Sequence, residues 1–201
     1  MPILTRTFAQ DAIIVENVAG AATPITLSGY SGEASETLRF DLEVAGCRVV
    51  GDSEAQYTLT GGMNGGLEGR LATKAGSSLF GKVYTKGTLR QQAHALADDV
   101  IKALGGQGVA RTRIAFKSEL GAGHSEIYVA DYDGHSAQAI TSDNAIVAAP
   151  AWVPGRLAVL YTSYRLGNPD IFVHDLGSGS RRPFSRRAGL NTSAAISPDG
   201  S

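Results

Sequence analysis

The second half of the chain repeats itself, and the spacing of that repeat limits the available folds more than any other feature. Ser125-Glu126-Ile127-Tyr128-Val129-Ala130-Asp131 is matched by Pro169-Asp170-Ile171-Phe172-Val173-His174-Asp175, with Asp131 and Asp175 44 residues apart. Ala149-Pro150-Ala151-Trp152-Val153-Pro154-Gly155 is matched by Ser193-Ala194-Ala195-Ile196-Ser197-Pro198-Asp199-Gly200, with Pro154 and Pro198 at the same separation. A third pair, Arg113 to Ser118 and Arg156 to Ser163, aligns with a small difference in length. A period of about 40 to 50 residues built from short strands is the signature of a β-propeller, one repeat per four-stranded blade. In Ser197-Pro198-Asp199-Gly200 the proline fixes φ at the turn's second position, the aspartate can bond the backbone beyond it, and the glycine takes the positive φ that closes the turn. Such a turn is expected to carry the chain from the outer strand of one blade to the inner strand of the next. Val153-Pro154-Gly155 lacks the aspartate, so that copy must differ. Asp131-Tyr132-Asp133-Gly134 and Asp175-Leu176-Gly177-Ser178 read as hairpin turns inside each blade.

The first half is organised differently. Thr88 with Gln91 forms a capping box, and Leu89, Ala93, Leu96, Ala97, Val100 and Leu104 share one helical stripe, with Arg90, His94, Asp98, Asp99 and Lys102 off it. Gly105 supplies the left-handed residue that stops this helix. An earlier helix runs from about Gly32 to Ala45, with Ala34, Leu38, Leu42 and Ala45 inward, Ser31 as its N-cap and Gly46 as its stop. Short strands at Ile25 to Leu27 and Arg48 to Val50 flank it, and Ala55 to Thr60, Leu67 to Thr73 and Ser78 to Tyr84 alternate with the period of half-buried strands across glycine-rich turns. The order is β-α-β-β-β-β-α, a sheet with both helices available to one face. Gly105-Gly106-Gln107-Gly108 marks the joint. The expected organisation is an N-terminal segment 1–24, an α+β (α/β) domain 25–108, and all-β blades 109–201 of an incomplete propeller. With 25 glycines and only 18% charged residues, an all-helical bundle is excluded.

Little in the sequence points to chemistry. Eighteen basic against nineteen acidic residues leave a net charge of −1, so no global attraction to nucleic acid or anionic membrane operates. No stretch approaches the roughly 18 apolar residues that span a bilayer, so any membrane association is read as peripheral. Cys47 is the single cysteine and has no intramolecular disulfide partner. The four histidines lack metal-ligand spacing and are read as structural or solvent-facing. Gly29-Tyr30-Ser31 resembles the front of a nucleophile elbow, but Glu33 stands where glycine is needed, and Ser31 is better read as a helix cap. Asp131 and Asp133 lack the further carboxylates of a calcium loop and read as turn formers. Gly61-Gly62 and Gly65-Gly66 are not followed by the lysine of a phosphate loop and read as hairpin turns. The basic cluster Arg181 to Arg187 reads as a solvated loop in preference to an anion site, and Trp152 as packing between blades. No catalytic, cofactor or metal residue is assigned.

The repeated Ile-Tyr/Phe-Val-x-Asp strand, the Pro-Ala-Trp-x-Pro-Gly and Ser-Pro-Asp-Gly turns, the helix from Gln92-Ala93-His94 to Leu104 and the junction Ala110-Arg111-Thr112-Arg113-Ile114-Ala115 together resemble the TolB family of the bacterial Tol-Pal envelope system. That resemblance covers most of the chain. It implies a non-enzymatic periplasmic scaffold with an α/β domain and a propeller, serving envelope integrity, outer-membrane constriction in division and protein or colicin translocation. It implies two partners, a Pal-type outer-membrane lipoprotein and a TolA-type inner-membrane protein. Asp11-Ala12-Ile13-Ile14-Val15-Glu16 looks like the start of the mature family members, whose N-terminal segment contacts TolA. On that carry-over Ile13, Ile14 and Val15 form an edge segment able to add to a partner's sheet; equally, they can pair within their own domain. Family contacts to Pal lie mainly in later blades, so no residue is assigned to that site. Two blades fall short of a closed propeller, and the start carries no secretory signal, although Thr7-Phe8-Ala9 ends in the small residue a cleavage site favours. The expectation is a fragment cut at both ends. The alternative is the propeller portion of a prolyl-oligopeptidase-type peptidase, which a Gly-x-Ser-x-Gly following the last blade would reveal. A nucleic-acid module built on the α/β layer lacks a basic stripe.

Overall fold

A computed structural model describes residues 22–200. The elements in the first half are β1 (Thr23–Ser28), α1 (Gly32–Val44), β2 (Cys47–Val49), β3 (Tyr57–Met63), β4 (Leu67–Thr73), β5 (Ser78–Tyr84) and α2 (Leu89–Ala103), in the order the sequence pattern predicts. They form one mixed sheet, β2-β1-β3-β4-β5. β1 runs parallel to β2 and to β3, and the remaining pairs are antiparallel hairpins. The two helices and one face of the sheet share a single apolar cluster. Leu38 and Leu42 of α1 and Leu96 and Val100 of α2 close on Ile25, Leu59 and Leu71, all with no solvent exposure. Each such side chain contributes about 1.5–3 kcal/mol by leaving water, the driving force that holds both helices to one face.

The helix ends follow the capping logic unevenly. Thr88 and Gln91 make both bonds of the capping box on α2, and Gly46 and Gly105 adopt the positive φ expected at their stops. Ser31 occupies the N-cap of α1 in extended conformation, yet its side chain makes no capping bond. Gly61 and Gly62 also depart from expectation, lying inside β3 and paired with Gly69 and Glu68 instead of forming a turn. The loop after β1 crosses this point so closely that a Cβ on Gly61 would sit 2.5 Å from the Tyr30 hydroxyl and 1.9 Å from the Glu68 carbonyl oxygen. Tyr30 Oη donates to that carbonyl at 2.9 Å.

The second half is all strand. β6 (Arg113–Gly121), β7 (His124–Asp131) and β8 (Gln138–Ala139) form one sheet. β9 (Val147–Trp152), β10 (Ala158–Ser163), β11 (Asp170–Asp175) and β12 (Arg181–Ser185) form a second, ordered β12-β11-β10-β9. The repeated Ile-Tyr/Phe-Val motif falls on β7 and β11, the corresponding strands of the two sheets. Ile127, Val147, Tyr161 and Phe172 pack together between them, Tyr161 and Phe172 as stacked rings with centroids 5.9 Å apart. One expectation is overturned. Val153-Pro154-Gly155 joins β9 to β10, which are antiparallel neighbours, so it is a hairpin within one sheet and not a crossing between blades. The Arg156 N–H donates to the Val153 carbonyl at 3.1 Å and Gly155 takes φ 70°, closing the loop without the missing aspartate. Ser197–Gly200 closes in the same way, Gly200 N–H to Ser197 carbonyl at 2.9 Å. Its aspartate accepts from the Ser197 hydroxyl at 2.5 Å.

Candidate functional site

The chemistry of the described residues concentrates where α1, α2 and the β7–β8 turn meet. Arg90, His94 and Asp98 recur every four residues along α2 and so lie in one row beside its apolar stripe. The stripe faces the sheet, and the row is covered by α1 and by the turn Tyr132–Gly134. His94 and Asp98 are therefore 2% and 7% exposed, although the helical pattern placed both off the buried face. His94 Nδ1 lies 2.8 Å from Asp41 Oδ2 on α1, and its Nε2, solvent-shielded and without a hydrogen-bond partner, faces Asp133 Oδ2 at 3.5 Å. Arg90 reaches the same Asp133 oxygen through Nε at 2.8 Å and Nη2 at 2.6 Å. Tyr132 donates its hydroxyl to Asp41 Oδ1, and its ring meets those of His94 and Phe40 at 5.6 and 5.9 Å. Residues far apart in the chain thus converge, because the β7–β8 turn packs onto the seam where the two helices meet.

The electrostatics follow from that geometry. Burial alone would pull His94 down, but the Asp41 hydrogen bond and the charges of Asp41 and Asp133 outweigh it against Arg90 and lift the imidazole above its ordinary value. Burial would likewise lift Asp133; the His135 N–H and the Arg90 guanidinium overcome it and hold the carboxyl below its usual range. Burial and the Asp41 carboxylate both push the Tyr132 hydroxyl up, so it remains a donor. The arrangement is an imidazole set between two carboxylates, one on each side of the joint, which favour its charged form. Its contacts fasten α1, α2 and the β7–β8 turn to one another, with Asp41 as the hydrogen-bond partner of His94.

A second fastening lies at the glycine-rich joint. Asp98 Oδ1 accepts from the Ala110 N–H and Oδ2 from Arg111 Nε, both at 2.8 Å. A Cβ on Gly108 would stand 2.4 Å from that Oδ1, so the close approach of chain to carboxylate requires glycine there. The segment is clamped to α2 and is not a slack tether.

The other residues that the sequence pattern brings forward lie apart from this cluster or serve it in part. Ile13, Ile14 and Val15 lie outside the described residues. Asp133 Oδ1 accepts the His135 N–H at 2.9 Å, as a turn former should, while its other oxygen serves the joint. Within the basic cluster, Arg181 bonds Asp143 at 2.6 Å and Arg186 faces Asp170 at 3.5 Å, so two of its charges are held by carboxylates, one in the loop before β9 and one at the start of β11. Burial first and Arg181 second push His174 down, leaving it neutral at neutral pH. Cys47 is buried, and burial raises its thiol. Among the described residues no three His, Cys, Asp or Glu converge in a way that could hold a metal ion, and no helix is long and apolar enough to cross a membrane.

A family model described as the TolB beta propeller domain matches residues 101–201. The Tol-Pal system protein TolB of Polaromonas naphthalenivorans (strain CJ2) is 31% identical over 220 residues, covering 92% of this chain and 51% of that protein. The protein of the same name from Methylobacillus flagellatus is 39% identical over 119 residues, 58% of this chain and 27% of its own. The crystal structure of TolB from Acinetobacter baumannii superposes with a TM-score of 0.78 at 23% identity, over 89% of this chain and 53% of that one. The chain spans about half the length of the curated relatives it matches.

Proposed function

The chain belongs to the TolB family, and from that premise we propose that it is a non-catalytic, periplasmic protein-protein scaffold of a Tol-Pal system. Residues 25–108 act as its α/β domain and residues 109–201 as the first two blades of a β-propeller. The carrying observation is the match to Tol-Pal TolB across 92% of the chain, which runs through the α/β layer, the glycine joint and both β-sheets in one order. A propeller motif by itself occurs in many bacterial proteins; the joined order is more particular. The joint chemistry supports the same reading, because buried charge here is used to fix two units together and not to activate a nucleophile or a water.

In this reading the partners are a Pal-type outer-membrane lipoprotein and a TolA-type inner-membrane protein, and the protein serves envelope integrity, constriction of the outer membrane in division and protein or colicin translocation. Ile13, Ile14 and Val15 are proposed as the strand that adds to the edge of the TolA-type partner's sheet, since three consecutive β-prone residues supply main-chain pairing with alternating side-chain anchors. The test is capture of purified Pal-type and TolA-type proteins by the immobilised chain, with circular dichroism confirming the fold. Capture of the TolA-type partner that is lost on Ile14→Asp supports the assignment. Capture of neither partner by the folded chain sinks it.

A further inference from the structure

A cleft of ≈ 670 Å³ opens where the start of β6 meets the β9–β10 hairpin, lined by Arg111, Arg113, Trp152, Gly155, Arg156 and Leu157. Three guanidinium groups surround it, each held from behind by a less exposed carboxylate. Arg111 bonds Asp98 through Nε at 2.8 Å; Arg113 Nε stands 4.0 Å from Asp131, and Arg156 Nη2 3.6 Å from Asp175. The arginine side chains are 63%, 50% and 59% exposed and their acids 7%, 19% and 36%, so the cleft presents cation while its counter-charge sits in the wall. The apolar part is Leu157, half exposed, and Trp152, half buried, whose indole Nε1 is shielded from solvent and has no acceptor in the protein.

We infer that this cleft is a docking site for an acidic segment of a protein partner, with aspartate or glutamate side chains on the arginines and an apolar or aromatic side chain on Trp152 and Leu157. The chemistry selects that class. Planar guanidiniums take carboxylates in two parallel hydrogen bonds, and those of Arg113 and Arg156, only loosely paired at 4.0 and 3.6 Å, can do so without breaking a tight contact. Arginine and tryptophan are the residue types on which interface binding energy concentrates. The region is broad and open, so it offers contacts to several side chains of a peptide at once, more than a lone inorganic anion covers. A nucleic acid fits less well, because affinity there comes from neutralising many phosphates along a basic track, and this chain carries a net charge of −1. The inference goes beyond the scaffold reading: capture of a lipoprotein or inner-membrane protein elsewhere on the chain leaves it untouched.

The experiment selects a random dodecapeptide phage library on the full chain and then titrates the recovered peptide in synthetic form, reading the fluorescence of Trp152, the single tryptophan. The expected result is enrichment of Asp and Glu flanking a Leu, Phe or Trp. Saturable change at Trp152 should follow, with affinity falling about tenfold or more in Arg113→Glu/Arg156→Glu. Arg113→Lys/Arg156→Lys keeps the charge without the planar fork and should bind more weakly than the parent but better than the Glu pair. If the Glu pair loses its circular dichroism, the Lys pair decides alone. Recovered peptides without acidic enrichment, or lysine and glutamate variants that bind like the parent, overturn the inference. A twelve-residue oligothymidylate that displaces the peptide with equal or higher affinity overturns it in favour of a polyanion surface.

Discussion

Replacing Asp133 by asparagine removes the charge shared by Arg90 and His94 while leaving the oxygen that accepts the His135 N–H. The carboxylate is 2% exposed and takes two Arg90 N–H groups on one oxygen, at 2.8 and 2.6 Å. Breaking a buried pair by neutralising one member costs about 3–5 kcal/mol. Arg90 is 22% exposed and keeps Glu33 at 3.5 Å, so water and that neighbour recover part of the loss, leaving about 2–3 kcal/mol. At 1.4 kcal/mol per decade this is roughly a 30- to 150-fold shift in the closing of the joint. Two signals separate the halves. Helix dichroism reports α1 and α2, which pack on the five-stranded sheet of the first half, and tryptophan fluorescence reports Trp152 on β9. Under guanidinium denaturation the helix midpoint of Asp133→Asn should fall below both the parent's value and the variant's own tryptophan midpoint, because the helices lose the turn that covers their polar row. A cycle with Arg90→Gln should show coupling well above the 0.3–0.5 kcal/mol expected of independent sites. Additive effects, or a shift no larger than that of an exposed control such as Lys102→Ala, would refute the claim that this contact ties the halves together.

Gly108→Ala places a methyl 2.4 Å from Asp98 Oδ1, and should cost about 1–3 kcal/mol by denaturation and expose the Ala110 amide to hydrogen exchange. Tyr132→Phe deletes a donor to the Asp41 carboxylate and should cost about 1.5–3 kcal/mol in the same assay. His94, raised by its two carboxylates, lends stability that is fully present below about pH 6.5 and is lost as pH rises through its higher folded value. Asp133, lowered, lends stability that is present above about pH 3.9 and is lost as pH falls through its lower folded value. Stability measured across pH 5 to 9 should therefore decline on the alkaline side, and His94→Gln should flatten that decline; an unchanged slope would show that the imidazole does not titrate with folding. Thr88→Ala should cost about 1 kcal/mol of α2 stability and leave the Trp152 signal in place, readable by comparing helix dichroism with fluorescence.

What the sequence made legible was local. The alternation of Leu67 to Thr73 and Ser78 to Tyr84 marks β4 and β5 at their observed bounds, and Thr88-Gln91 marks the start of α2, because period and capping are set by neighbours in the chain. The 44-residue echo places β7 and β11 in corresponding positions. The joint was not legible, for the opposite reason. Arg90, His94 and Asp98 form a polar row that looks solvated until a second helix and a turn cover it, and those covers come from residues around 41 and 132. The signal available was the row itself, alternating cation, imidazole and acid every four residues beside an apolar stripe. Gly61 and Gly62 mislead in a similar way: glycine pairs punctuate turns, but here both lie within β3, and the missing side chain of Gly61 makes room for Tyr30, which no local pattern reveals.

The clamp of Asp98 on Ala110 and Arg111 has a mechanical consequence. A four-residue glycine segment left slack would act as an entropic tether, absorbing displacement before passing on force. With its far end bonded to the side of α2 and Gly108 wedged against the carboxylate, it has no extension to give. Tension applied between the first layer and the β6–β8 sheet arrives at once on α2 and on the Arg90–Asp133 contact. The joint then behaves as a stiff coupling in series with two packed cores, and its bonds are the first to bear any pull between them.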